Sequence, residues 1–383
     1  MNATMLFVCL TASATLAQPE TKVKTPPIEV KTETRDGKTH SFLLYNRVYI
    51  GRQYHKSKDE PDLPRLPTTY FHDKSPIGII LKDPRAFPPK DAPPVAVLGM
   101  DIGTLAAYAQ PGQVFHFTER VPAFVKLSLP DKGQERQFTF IQDAMDRGGK
   151  VKVFEGEPRA MLEKHGPRGF YKVIVINTYK TPVVEVHNEL LTKEAIAMLM
   201  SKLTDDGIVC YHTSNRYYQM APIIASAANE LKLACIVGKD PGYYDDPKSD
   251  FRFASEWVMV ARHEKHLAHL KNDKESKVTW QAPTVSSIRR IKDMERKVDR
   301  EFLWSDKGEQ SFRGLYYSDP KIDSLYDTLN DVSEFFRGTL GIPFKHVDTV
   351  DRPLRGVIRA WSASSAERLN SAPPPKEKTS EKK

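Results

Sequence analysis

Carboxylates, amides and glycines gather at the ends of apolar runs in the middle of this chain, and their spacing suits the holding of a nucleoside. Val95 to Leu98 is a short apolar run that reads as a fully buried strand. It opens onto Gly99-Met100-Asp101-Ile102-Gly103, a glycine turn, and a helical pattern follows from Thr104 to Ala109. A second apolar run, Val114 to Phe117, ends on Glu119, 20 positions after Gly99. Glycines in such a turn let the backbone approach a ligand whose charged part faces a helix N-terminus. A carboxylate at that distance accepts hydrogen bonds from ribose hydroxyls. Two more strand ends are polar. Lys150 to Phe154 runs into Glu155-Gly156-Glu157, and Lys172 to Ile176 stops at Asn177. Strand C-termini are where sheets of this kind bind ligands. The bland alternatives are tight helix packing for the glycines and a solvated strand end for Glu119. Spacing alone leaves both open.

The elements that would position these groups alternate between strand and helix, which implies a mostly parallel sheet covered on both faces. Met161 to His165, Thr192 to Leu203 and Met220 to Leu231 carry helical spacing. Gly207 to His212, Ala234 to Gly238 and Glu256 to Ala261 read as strands. Upstream, residues 28–53 alternate in period two around an Asp36-Gly37 turn, the pattern of a small antiparallel lobe. Ser75-Pro76 opens a short helix. The expected organisation is 1–17 signal-like, 18–27 linker and 28–83 the β lobe with its junction. Then follow 84–265, a Rossmann-like domain, 266–365, a mainly helical extension, and 366–383, a solvated tail. Helix candidates in the extension lie at 285–302 and 321–338.

Composition narrows the function class. The chain has 383 residues, 40% hydrophobic and 28% charged, enough for a large core and a smaller lobe. Its net charge of +8 comes from 57 basic and 49 acidic residues, with many lysines in the tail and between Lys265 and Lys277. No arginine stripe interleaved with aromatics is present, so no nucleic-acid partner is expected. Cys9, Cys210 and Cys235 lack metal-ligand spacing, so no metal is expected. At the N-terminus, Met5 to Leu10 is apolar and Ala14-Thr15-Leu16-Ala17 resembles a cleavage site, without a basic region before it. That points to export. The rival reading is the stub of a longer membrane segment, with a cytoplasmic protein behind it. No stretch of this chain is long enough to span a bilayer, and homo-oligomerisation stays open.

The motifs together resemble those of the spermidine synthase-like proteins, particularly the catalytic domain of bacterial forms often fused to a membrane transporter module. The family turn Val-Gly-x-Gly-x-Gly-Thr-Leu-Ala-x-Tyr is similar to Leu98 through Tyr108 here. His212-Thr213-Ser214-Asn215-Arg216-Tyr217 matches the family's His-x-Ser-Asn-Arg-Tyr, and Thr69-Tyr70-Phe71-His72 resembles its Thr-Tyr-Tyr-His. Leu303-Trp304-Ser305-Asp306 resembles a Trp-Thr-Asp-Asp near the family's end. The resemblance covers roughly residues 28 to 310. It implies an α/β, methyltransferase-like sheet of about seven strands with an N-terminal β lobe. It also implies decarboxylated S-adenosylmethionine, or S-adenosylmethionine, as ligand or co-substrate, and a polyamine acceptor. Gly99, Asp101, Gly103, Glu119 and Glu157 then fall on the donor side, and Tyr70 and His72 on the substrate side.

The acceptor side departs from the family pattern. Where the family has two aspartates after its fourth strand, this chain has Asn177 and Pro182, with Lys180 between them. An amide cannot act as a base, and a lysine repels a dication. Glu185, His187 and Glu189 lie nearby as substitutes, and Asp101 stands where the family's turn has its middle glycine. Three functions follow: an aminopropyltransferase-like enzyme using Glu185 or His187, a non-catalytic relative that binds an adenosyl ligand, or a methyltransferase. The missing acids favour the second.

Overall fold

The computed structural model describes residues 27–45, 48–178, 188–214, 220–242, 251–272, 276–283 and 306. The chain begins with three antiparallel strands in sequence order, β1 (Ile28–Arg35), β2 (Lys38–Tyr45) and β3 (Val48–Tyr54). Asp36 (φ 50) and Gly37 (φ 76) make the first hairpin turn, both left-handed, as a two-residue turn matched to strand twist requires. Helix α1 (Pro76–Lys82) starts where the sequence signals it. The Ser75 side chain accepts the Gly78 amide, and proline fills the first turn.

The second sheet contains β4 (Val95–Leu98), β5 (Val114–Glu119), β6 (Lys150–Glu155), β7 (Tyr171–Ile176), β8 (Leu203–His212), β9 (Ala234–Asp240), β10 (Ser255–Ala261) and β11 (Thr279–Gln281). Their order is β11-β9-β10-β8-β7-β4-β5-β6. The strands from β6 to β8 pair in parallel, while β10 is antiparallel to both β8 and β9. The chain leaves β4 outward to β6 and then returns to β7 on the other side of β4, so the order reverses between β4 and β7. This is the methyltransferase-like α/β architecture, with β11 as an added edge strand paired to β9.

Alternate residues of the central strands feed two cores. Val95, Val97, Val173, Val175, Phe115 and Phe117 pack with Ile77 and Ile80 of α1, and with Phe140 and Ile141 of α3 (Phe140–Asp146). Ala96, Leu98, Ile174 and Ile176 pack with Leu162 of α4 (Pro158–His165) and with Ile196 and Leu199 of α5 (Lys193–Lys202). Ile223 and Ile224 of α6 (Ala221–Glu230) complete that second core. Two-sided burial is why these strands read as unbroken apolar runs.

Three local differences from the sequence reading stand out. Thr104–Tyr108 is a 3-10 turn of five residues, not an α-helix. The Arg147 guanidinium closes it by donating to the carbonyls of Ala107 (3.2 Å) and Ala109 (2.9 Å). Residues 120–149, left without elements by the sequence pattern, carry α2 (Pro122–Ser128) and α3, each of seven residues. Two 3-10 turns, Glu264–His266 and Ala268–Asn272, lead to β11 where a helical extension is expected from residue 266. Residues 1–26, both longer helix candidates and the tail lie outside the described residues. Among the described residues no helix is long and apolar enough to cross a membrane, and no cluster of three His, Cys, Asp or Glu could hold a metal.

Candidate functional site

Four parallel strands end in one row at the switch point. Leu98 is in register with Ile176 and Thr118, and Ile176 with Tyr211. The next residue on each strand is therefore Gly99, Asn177, Glu119 and His212, side by side at the C-terminal edge. Parallel pairing and register alone bring these four together.

The glycine turn takes its shape from β7. Gly99 (φ 95) has the Asn177 carbonyl oxygen 2.8 Å from the place its Cβ would occupy, so no larger residue fits there. Asp101 follows at φ 56, a left-handed conformation that Asp tolerates better than most residues. Gly103 (φ 79) is pressed by the Ile141 side chain, 2.7 Å from its Cβ position, so its need for glycine is one of helix packing.

Glu119 is 5% exposed and bonds back into this turn. Its Oε2 accepts the amides of Met100 (2.9 Å) and Asp101 (3.1 Å), and its Oε1 accepts that of Val121 (2.9 Å). Burial first, and then the nearby Asp101 charge, push its carboxyl up to about 7, and the three amides oppose that rise. The resemblance gives this carboxylate to ribose hydroxyls; in this structure it also holds the turn.

Asn177 is 3% exposed and engaged on every side. Its Nδ2 donates to the Gly99 carbonyl (3.0 Å) and to Asp101 Oδ2 (2.5 Å). Its Oδ1 faces His212 Nδ1 at 3.1 Å. The other ring nitrogen of His212 lies 2.9 Å from Ser214 Oγ, which also accepts the Glu256 amide at 2.8 Å. The imidazole is fully buried, stacked on Trp257 (4.5 Å, 15°), with the Tyr70 ring 4.8 Å away on β-lobe-junction backbone. One hydrogen-bonded chain thus runs Asp101–Asn177–His212–Ser214 across the strand ends.

Of the remaining site candidates, those among the described residues sit apart from this hydrogen-bonded chain. Glu157 lies two residues past β6 at the same edge, exposed, at the N-terminus of α4 without capping it. His72 accepts the Lys74 amide (3.1 Å) and pairs with Asp73 inside its own turn. Glu185, His187, Lys180 and Pro182 fall outside the described residues. Glu189 is in the 3-10 turn Asn188–Leu190, with Oε1 buried and without a hydrogen-bond partner among the described residues. A cavity of about 10 Å³, room for one water, lies beside His116 and Thr118 and shares no residue with the relay. Sequence reasoning passed over His212, Ser214 and Glu256 as site groups. The first two stand inside a quoted motif, but their partnership depends on where β7 ends.

No protein-family model matches the chain, and no curated protein matches it. Among solved structures it is similar to a probable spermidine synthase from Corynebacterium glutamicum ATCC 13032. The identity is 13% over 67% of this chain and 88% of that one, with a TM-score of 0.41. It is also similar to spermidine synthase from Thermotoga maritima, at 9% identity over 77% and 86% of the two chains and a TM-score of 0.38. A predicted O-methyltransferase from Agrobacterium tumefaciens is similar at 14% identity over 48% and 78%, with a TM-score of 0.30.

Proposed function

We propose that this chain is a spermidine synthase-like protein that binds an adenosyl ligand at the strand ends and transfers aminopropyl groups to a polyamine weakly or not at all. The observation that carries the reading is the engagement of Asn177. Where the resemblance puts a carboxylate for the acceptor amine, the chain has an amide whose three hydrogen bonds are all internal. A polyamine arrives as a polycation and needs a carboxylate both to hold it and to take its proton.

The donor side fits the reading with one adjustment. Three backbone amides fill three of the four acceptor positions of Glu119, so ribose hydroxyls take the open position on Oε1 or displace an amide, which weakens adenosyl binding relative to an open carboxylate. Decarboxylated S-adenosylmethionine and S-adenosylmethionine both carry a sulfonium, and Asp101 stands in the turn nearest the donor as a negative group able to pair with it. Isothermal titration with both donors and with methylthioadenosine tests the reading. Binding of at least one donor is expected, weakened when Asp101→Gly removes the pairing charge. Heat signals absent for all three ligands would contradict it.

A further inference from the structure

We propose that His212, reached through Ser214, is the proton acceptor of this site, and that the group it serves is a neutral nucleophile such as a hydroxyl or a thiol. The inference rests on the adenosyl reading above and names the acceptor class that reading leaves open.

The hydrogen-bond chain assigns its own protons. Asn177 Nδ2 lies against two acceptors, the Gly99 carbonyl and the Asp101 carboxylate, so the amide nitrogen must be on that side. Its Oδ1 therefore faces His212, and Nδ1 carries the hydrogen that it donates across 3.1 Å. With Nδ1 protonated, neutral imidazole has its lone pair at Nε2, aimed at Ser214 Oγ at 2.9 Å. Ser214 already accepts the Glu256 amide at 2.8 Å, and its hydroxyl lies closer to Nε2 than to the Glu256 carbonyl at 3.4 Å. The hydroxyl hydrogen goes to the imidazole. A base oriented by a second group and poised on a hydroxyl is the arrangement that activates nucleophiles.

Ser214, half-buried two residues past β8, is the least buried member of the relay. A neutral X–H seated against it passes its proton to Ser214 Oγ as the serine proton moves to Nε2. X then attacks the carbon on the donor's sulfonium, the C–S bond breaks, and its electron pair stays on sulfur, which departs as a neutral thioether. The imidazolium that results is held by Asn177 Oδ1, which the Asp101 carboxylate polarises; Asn177 and Asp101 are positioning residues. A polyammonium gains nothing here, because the one carboxylate of the relay is separated from Ser214 by two side chains.

The test uses the full chain. With ¹⁵N-histidine labelling, long-range correlation spectra are expected to show one ring protonated at Nδ1 and bare at Nε2, and Ser214→Ala shifts only that Nε2. Donor consumption is then followed with S-adenosylmethionine and its decarboxylated form against catechol, 2-mercaptoethanol and putrescine, with donor affinity measured alongside. The expected result is turnover with catechol or 2-mercaptoethanol that Ser214→Ala lowers about a hundredfold, with donor affinity unchanged and rate regained in Ser214→Thr. Protonated Nε2, or donor binding without turnover on either neutral acceptor, overturns the inference and leaves the adenosyl reading standing. Turnover insensitive to Ser214→Ala does the same. Failure of both donors to bind overturns the adenosyl reading and the inference with it.

Discussion

Two neighbouring carboxylates, Asp101 in the glycine turn and Glu119 at the end of β5, govern how this site responds to pH. Glu119 has its carboxyl raised to about 7 by burial and by Asp101, against an ordinary value of 4.5. A raised folded-state value means the folded chain binds the proton more tightly than the unfolded one. As pH climbs from about 4.5 to about 7, the unfolded chain has already released it, so stability falls across that window and the cost is complete above it. Asp101→Asn keeps a residue that tolerates φ 56 and removes only the charge. We expect the Glu119 midpoint to move down and the fall in melting temperature between pH 5 and pH 8 to shrink, read by carboxyl ¹³C titration and calorimetry. An unmoved midpoint would show that burial alone sets it. At this scale the sequence was partly legible. The types at positions 99, 101, 119 and 177 single out the residues that meet at the strand ends, but whether Glu119 turns outward or back to the Met100 amide depends on a rotamer that spacing does not encode.

Elements were legible in proportion to their burial and length. Strands β4, β7 and β10 are buried on both faces and appear as apolar runs, whereas β11 has three residues and α3 seven, too few to display a period. The 3-10 geometry of Thr104–Tyr108 escaped notice because Arg147, 39 positions beyond Tyr108, supplies its closing bonds. Long-range partners also hold the start of α5. Thr192, fully buried, accepts the Ala195 amide at 3.2 Å as the N-cap and donates to Asp306 at 2.7 Å. Asp306 in turn takes Arg159 through both oxygens, at 2.8 and 2.7 Å. Thr192→Ala should therefore cost about 1 kcal/mol from the cap, seen as a lower denaturation midpoint with unchanged slope. Thr192→Ser should recover most of it. Equal losses in both variants would assign the effect to the methyl group's packing.

The whole molecule depends on a buried arginine that joins distant segments. Arg252, 3% exposed, pairs with the fully buried Asp240 carboxylate at the end of β9 and donates to the carbonyls of Lys74 and Ser276. It ties the lobe junction, the sheet edge and the approach to β11 into one unit. Replacing it with methionine leaves Asp240 buried without its cation, at a cost of about 3 to 5 kcal/mol, measurable by urea unfolding. A loss under about 1 kcal/mol would mean that water reaches the carboxylate. The architecture was readable from alternating elements, but the joining role of Arg252 was not, since nothing local distinguishes it from a surface arginine.

The most direct measurement of the central claim is spermidine formation from decarboxylated S-adenosylmethionine and putrescine, with methylthioadenosine as the co-product. Asn177, engaged with Gly99, Asp101 and His212, offers no negative charge to a diamine, and a positioned carboxylate contributes on the order of a hundredfold to such a proton transfer. The prediction is donor binding with spermidine formation at or near background. Spermidine and methylthioadenosine produced together at rates ordinary for an enzyme would contradict it.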